Sequence, residues 1–594
     1  MKNFYYNFCI KYLPYFIGLL AGLYFIILPV TGFKFVYFAG DLGDGRICLY
    51  SLEHVYQFMT CKIHFFWDAP IMYPEKNVIS YSENFLGTAP FYAIFRVLGY
   101  NTYNSYILWY LLIAILNYSA CYLFLNKVTK NNLSATLGAF IFAFSIAIQS
   151  QLTHPQTFTR FPIPLVFLML VNFLNTRKPI YFFLSYLFWV YQMYCSMYLG
   201  YLLFIPVLIF TIAIMVTQKE QFKTHITQKS WINLMITGMV ANIILLLPLL
   251  IPYIKRASGW NIHNYFQIIN TIPTPKSFFF SQKGSLLWNF LSFHSRNYPA
   301  WWDHQIFPGV TATLCMFIFI VYLIWFFYKK KENSLIDPKL YKPFLITVVL
   351  TFLIFIRIKN ISGYFFIYLF PGFNGLRSLT RIINIELIFF AFSLSFVTTL
   401  LMNKFLKIKY LLFIIILALI ITDNYFHAAQ SYRTKKETAL NRQDRIESQL
   451  KNLPKKSLVS YEPENIKDQA LVYHVDMMLS TQDLGLRTIN GCIGNCPAQF
   501  APFLQNPNAK TRTNWFKSIK WYPDTLYVLN NDSTEPKMIS KDEIMARKTV
   551  KMYMQEIKNN EIWLNKVKQK AIDKKISLDS MIYLDALWLK EQGN

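Results

Sequence analysis

The 594-residue chain is 54% hydrophobic and 18% aromatic, with a mean hydropathy of +0.30, which is more apolar surface than a soluble domain can bury. Lys and Arg number 58 against 31 Asp and Glu, a formal net charge of +27. The basic residues fall in short clusters between apolar runs, as in the loops of a membrane protein and unlike a nucleic-acid surface.

Apolar runs near the roughly 20 residues needed to cross a bilayer predict about eleven spans. They run at about 13–30, 104–126, 133–149, 161–176, 179–195, 198–217, 231–253, 308–328, 343–357, 382–402 and 408–422. The first run is long and bulky and has no small-x-small cleavage site before the acidic loop, so it reads as a retained span. Lys2 and Lys11, Lys127 with Lys130, Arg177 with Lys178, the 217–230 loop, Lys329-Lys330-Lys331, and Lys404 with Lys407 all fall on one side of such a bundle. That side is expected to be the cytoplasm. The loops at 31–103, 151–160, 254–307 and 358–381 and the tail from Asp423 then share the external compartment. The composition of the loops suggests a bacterium, hence a multi-pass inner-membrane protein with a cytoplasmic amino terminus and a periplasmic tail.

The first loop, 31–103, concentrates Asp41, Asp44, Glu53, Asp68, Glu75 and Glu83 in a chain poor in acids. It is centred on Gly40-Asp41-Leu42-Gly43-Asp44-Gly45-Arg46. Residues 46–60 have the period of an amphipathic helix, expected to lie on the membrane surface. Asp44 stands where an N-cap belongs, which leaves Asp41 at the exit of a span without a structural task. The second connection, Gln151-Leu152-Thr153-His154-Pro155-Gln156 with Arg160, gathers donors and an imidazole suited to a sugar or phosphate; a helix-end or interfacial His explains it too. Trp301-Trp302-Asp303-His304 reads either as an interfacial aromatic belt or as a surface for a sugar ring. In the 358–381 loop, Arg377 and Arg381 run against the positive-inside bias and need an anionic partner, a phosphate or lipid headgroups.

From Asp423 the composition turns polar, giving residues 423–594 as a soluble external α/β domain after a transmembrane domain at 1–422. Strands are predicted at 457–461 and 525–529, and helices at 431–453, 468–481 and 541–575. Cys492 and Cys496 are the only close external cysteine pair, and a disulfide across the glycine-rich turn is preferred to a metal site.

The acidic first loop with its surface helix, the span count and the external tail resemble the GT-C superfamily of membrane glycosyltransferases. Gly40–Gly45, His154-Pro155-Gln156, Pro371-Gly372-Phe373-Asn374-Gly375-Leu376-Arg377 and the segment 477–497 are similar to bacterial members of this type. The resemblance implies an all-α polytopic membrane fold of about 11 transmembrane helices with a C-terminal soluble α/β periplasmic domain. It implies an inverting glycosyltransferase that uses a polyprenyl-phosphate-linked sugar donor and a glycan, lipid or protein acceptor. Asp41 becomes the general base, Asp44 a second carboxylate, and Arg377 the phosphate holder. Arg46, Glu53, His154, Gln156, Arg160, Trp302, Asp303 and Arg381 are the remaining residues expected to bind substrate. The resemblance also implies a divalent metal, Mg or Mn, on Asp41 and Asp44, although the two acids are spaced wider than in many relatives. No Walker or dinucleotide glycine pattern appears, which speaks against a soluble nucleotide donor. The competing expectation is a non-enzymatic protein: a transporter or flippase for lipid-linked sugars, or an accessory scaffold.

Overall fold

The computed structural model describes residues 2–149, 151–257, 264–329, 337–427, 432–464, 466, 468–531, 533–545 and 550–592. Lys330 and Lys331 of the expected cytoplasmic cluster, and Ser431 at the start of the expected tail helix, lie outside the described residues. The chain divides into two compact units, Met1–Ala69 with Ile79–Leu440, and Pro70–Val78 with Asn441–Asn594.

In the first unit, among the described residues, eight helices are long and apolar enough to cross a membrane: Tyr12–Thr31, Thr102–Thr129, Asn132–Gln149, Pro155–Thr176, Met197–Thr217, Lys229–Arg256, Val310–Tyr328 and Leu379–Lys404. These make the chain a multi-pass membrane protein. The runs expected near 179–195, 343–357 and 408–422 are also helical, as Pro179–Cys195, Pro338–Phe355 and Lys409–Asn424, but are not among the eight. At 17 and 16 residues, the first and last fall short of the usual length for a span.

Asn132–Phe144 is buried along nearly its whole length and forms the bundle's centre with Thr102–Thr129 and Ile383–Lys404. The aromatic surplus is spent there. Phe344 stacks on Phe392 at 3.8 Å, Phe319 meets Phe392 edge-on at 5.7 Å, and Phe167 packs on Phe389 at 6.0 Å. Lipid tails are as apolar as Leu, so association within a bilayer rests on dispersion and geometry of this kind.

In the second unit a four-stranded sheet has the order Arg487–Thr488, Leu458–Tyr461, Thr525–Leu529, Lys537–Ser540, parallel in its first two pairings and antiparallel in the last. The helix Ala470–Leu484 covers it, burying Tyr473 and Met477 against Val459, Tyr461 and Leu486. Asn490 zips the parallel pair: its Oδ1 accepts the Tyr461 N–H at 2.7 Å and its Nδ2 donates to the Tyr461 carbonyl at 3.0 Å. This gives a structural reason for the Thr488-Ile489-Asn490-Gly491 run. Pro70–Val78, from the first loop, extends the same edge. The Pro70 carbonyl accepts from Thr488 N–H at 2.9 Å, and Met72 and Tyr73 N–H donate to the Asn490 and Thr488 carbonyls. The second unit therefore starts at Asn441 rather than Asp423, and it takes a piece of the acidic loop. The segment just before it, Arg433–Lys435, pairs with Tyr37–Ala39 inside the first unit. The terminal helices Val550–Asn559, Glu561–Asp573 and Leu578–Gln592 bury a small core of Ile557, Val567, Met581 and Ile582.

Candidate functional site

Strand Tyr37–Ala39 feeds the acidic turn. Phe38 is wedged between Tyr103 and Tyr106 at 5.5 and 6.1 Å, and the Tyr106 hydroxyl donates to the Ala39 carbonyl at 3.1 Å. Gly40, at φ +113°, then doubles back on Gly45. A Cβ on Gly40 would stand 2.8 Å from the Gly45 Cα, and one on Gly45 would stand 2.9 Å from the Gly40 Cα. Only glycine fits at either position. This closure brings Asp41 over the start of helix Asp44–Met59, where its Oδ1 accepts the N–H groups of Gly43 and Gly45, each at 3.1 Å.

The expected division of labour between the two acids is thereby reversed. Asp41 satisfies the orphan donors at the helix start, while Asp44 is the first helical residue and makes no capping bond. Asp44 reaches across to the second connection, where its Oδ2 stands 3.3 Å from His154 Nδ1, with side chains 41% and 23% exposed. Burial pushes the Asp41 carboxyl above the usual carboxylate range, and the Asp44 charge adds to this against the two N–H groups. Burial likewise lowers the His154 imidazole, helped by the positive charge of Arg381 and opposed by Asp44 and Asp303. A carboxylate made more basic thus sits beside an imidazole kept neutral.

Arg381 opens the span Leu379–Lys404 and is 9% exposed. Its guanidinium lies over the Tyr198 ring at 4.9 Å, and its buried Nε has no partner among the described residues. The Tyr198 hydroxyl accepts the Ser378 N–H at 2.7 Å and donates to the Ser378 carbonyl at 2.6 Å, pinning the loop that carries both arginines. Gly372, at φ +89°, lets that loop pass Tyr201, whose hydroxyl would be 2.5 Å from an added Cβ. Arg377 is exposed, and its carbonyl accepts from Thr271 Oγ1 at 2.6 Å.

Three residues that hold this arrangement were not singled out by sequence reasoning. Glu83 accepts from Ser196 Oγ, Met197 N–H and Tyr198 N–H at 3.1, 2.6 and 3.0 Å, fixing the helix turn that bears Tyr198. Burial raises its carboxyl against these donors. Asn384 Nδ2 donates to Gln151 Oε1 at 2.8 Å and to the Arg381 carbonyl at 2.9 Å, tying the His154 connection to the arginine loop. Tyr198 is the third. Apart from the Arg381 carbonyl, the partners lie more than a hundred residues apart in sequence, and no local pattern announces them.

Other expected residues are engaged elsewhere. Helix Asp44–Met59 is not a surface helix, because Gly45 to Val55 is buried all round. Arg46 is fully buried and donates from Nε to the Tyr103 hydroxyl at 3.1 Å. Glu53 pairs with Arg96 at 2.8 Å and accepts from the Tyr92 hydroxyl at 2.6 Å. Arg160 is fully buried in its span with its guanidinium 5.1 Å from the Phe142 ring. Gln156 Oε1 accepts from Cys48 Sγ at 3.4 Å. Asp303 stands close enough for its charge to act on His154 and Tyr198, whereas Trp302 is 54% exposed.

In the second unit, the structure draws no bond between Cys492 and Cys496. The turn between them is closed by Gly494 at φ +111° and by the Cys496 N–H donating to Asn495 Oδ1 at 2.9 Å. The donor set for a metal does not converge either. Asp41 Oδ1 is taken by two N–H groups, Asp44 turns to His154, and no three His, Cys, Asp or Glu side chains among the described residues stand as a metal site.

No protein-family model matches the chain, and no curated protein matches it by sequence. Solved structures do match by fold. The Archaeoglobus fulgidus oligosaccharyltransferase in its apo form aligns with a TM-score of 0.50 at 12% identity, over 88% of this chain and 69% of that one. The oligosaccharyltransferase AglB from the same archaeon, in complex with an inhibitory peptide and a dolichol-phosphate, gives 0.48 at 11% identity over 87% and 69%. The A. fulgidus oligosaccharyltransferase with Zn and sulfate gives 0.48 at 11% identity over 87% and 67%. The alignment with the apo oligosaccharyltransferase shows that the chain shares that protein's fold.

Proposed function

We propose that the chain is a glycosyltransferase that moves a sugar from a polyprenyl-phosphate-linked donor to a hydroxyl of a glycan, lipid or protein acceptor. The observation that carries this reading is the meeting of Asp41, Asp44 and His154 with the field of Arg381 at the ends of membrane spans. Asp41 takes the acceptor proton through Oδ2, because Oδ1 is occupied by the helix start. The acceptor oxygen forms its bond to the anomeric carbon as the carbon–oxygen bond to phosphate breaks, with inversion. The polyprenyl phosphate leaves with the electron pair, held by the guanidinium forks of Arg381 and Arg377. Asp44 orients His154, which hydrogen-bonds the sugar or acceptor. Base catalysis of this kind contributes about 10² to 10⁴-fold, and stabilisation of the departing charge contributes a comparable factor. No step is routed through a metal.

The accompanying topology is an amino terminus in the cytoplasm of a bacterial inner membrane, eleven spans counting the three shorter helices, and a soluble periplasmic domain from Asn441. A second reading, a carrier of lipid-linked sugars, is favoured by one observation. Arg160 and Glu386 are buried within span segments, and the three Arg160 side-chain nitrogens and Glu386 Oε2 have no partner among the described residues. Intramembrane ionisable groups are what a transport path uses. The test is the full chain in proteoliposomes with a radiolabelled polyprenyl-phosphate sugar and a mixture of glycan, lipid and peptide acceptors. Label transferred to an acceptor, and lost on Asp41→Asn, supports the enzyme. Label moved across the bilayer without transfer supports the carrier.

A further inference from the structure

An apolar cavity of the first unit lies away from the acidic turn. It is a 630 Å³ groove between the end of Tyr12–Thr31 and the end of Lys409–Asn424, lined by Tyr24, Phe25, Phe33, Leu286 and Ile421, with Arg433 at its rim. The geometry points to a phospholipid site, with one acyl chain in the groove and the headgroup phosphate on Arg433.

Three observations select this occupant. The groove continues a lipid-facing stripe: Leu13, Phe16, Leu20 and Tyr24, at helical spacing on the first span, are 54, 52, 62 and 55% exposed. From Leu13 to Tyr24 the helix rises about 16 Å, which is close to half of the roughly 30 Å hydrocarbon core and suits a chain from one leaflet. The helix is also locally widened there, since Leu23–Ile27 is a π-helical turn, and it presents Tyr24 and Phe25 to the groove. Such turns are rare and recur at functional positions. Arg433, finally, is braced for an anion. Its Nη1 donates to the Pro29 carbonyl at 2.6 Å and its guanidinium lies 4.0 Å from the Tyr37 ring centroid. No other donor of this guanidinium meets an acceptor among the described residues, which leaves its remaining fork for a phosphate. Leu286 roofs the groove through its N–H bond to the Tyr425 carbonyl at 2.9 Å, and nearby Leu287 and Phe290 are 48 and 56% exposed, continuing the lipid-facing surface.

The site is connected to the acidic turn through the backbone. Arg433 pairs with Ala39 across the two-stranded ladder, and the Gly40 N–H donates to the Tyr432 carbonyl at 2.9 Å. A headgroup on Arg433 therefore braces the strand that delivers Asp41.

The experiment is native mass spectrometry of the full chain, purified in detergent, stripped of lipid and titrated with dioleoylphosphatidylglycerol. The wild type should retain one lipid at low micromolar concentration. Arg433→Gln and the groove-filling Thr422→Trp, at an exposed position, should each weaken retention at least tenfold while the lipid-free melting temperature stays within a few degrees. Arg433→Lys should fall between. Equal retention by wild type and both variants overturns the site. Undecaprenyl phosphate bound at this groove without competition from phosphatidylglycerol overturns the assignment to a phospholipid.

Discussion

Asp41 carries two tasks that a pair of substitutions can separate. Its Oδ1 accepts two N–H groups at the start of helix Asp44–Met59, and its carboxyl is raised by burial and by Asp44. Asp41→Asn keeps the acceptor and the shape. The helix start remains satisfied, and removing a charge that burial disfavours offsets part of the loss of charge-assisted bonding. Asp41→Ala removes both bonds, and loss of a side chain serving a helix start costs about 1 to 2 kcal/mol. In the proposed mechanism both variants lose the base, and transfer should fall by about 10² to 10⁴-fold in each. Asn should thus melt like wild type and be inactive, whereas Ala should be inactive and less stable. The measurements are turnover of the radiolabelled donor under saturation and thermal unfolding of the same preparations. A pH series adds a sign. The base works only when deprotonated and its carboxyl is raised, so the rate should fall on acidification through a pKa above the ordinary carboxylate value of 3.8. Transfer at the wild-type rate by Asp41→Asn would refute the role of base and leave Asp41 a purely structural residue.

The remaining predictions address the arginines, a buried pair and acid stability. Arg381→Lys keeps the charge but loses the planar fork and the stacking on Tyr198, and should weaken donor binding about ten- to a hundredfold, the worth of about 1.5 to 3 kcal/mol of charged hydrogen bonding; equilibrium binding of a fluorescent polyprenyl phosphate reads it. Glu53→Gln leaves Arg96 without its anion, and because Arg96 is 20% exposed the cost should be about 2 kcal/mol, below the 3 to 5 of a fully buried pair, with donor affinity unchanged if Glu53 is structural. His474 and His54 are held neutral by burial, each from 6.5 down to about 4. The unfolded chain therefore binds their protons first, and stability should fall between pH 6.5 and 4 by about 3 kcal/mol per histidine; a His474→Gln variant that loses stability over that window as steeply as wild type would count against this.

Much of the bundle was legible because the bilayer imposes one length and one polarity on a span, so the runs at 104–126, 133–149 and 231–253 met helices at nearly the expected bounds. The runs at 179–195 and 408–422 also fold as helices, of 17 and 16 residues, at the short end of what crosses a bilayer. Periodicity misled at 46–60. An amphipathic pattern predicts one buried face, but Tyr103 covers one side of this helix while Tyr92 and Arg96 cover another, so its polar stripe is spent on internal partners. Burial of a charge depends on which distant helix arrives opposite it. That is why Arg46, Glu53 and Arg160 read as surface ligands and proved to be internal.

The acidic turn shows how local chemistry can be right while its assignment is inverted. Two aspartates three apart before a helix always offer one for the orphan N–H groups, and position alone favours the nearer, Asp44. The contact of Gly40 with Gly45 decides otherwise, because it folds the preceding residue back over the helix start. That frees Asp44 for His154 and gives Asp41 its half-buried, more basic carboxyl. The glycines therefore shape the proposed chemistry and do more than permit a turn: a side chain at either position would open the loop, return Asp41 toward solvent and restore an ordinary carboxylate. The same reasoning makes Glu83, Tyr198 and Asn384 indispensable to the site, although none need touch a substrate, since they fix the distance between the loop that would receive a proton and the loop that would hold a phosphate.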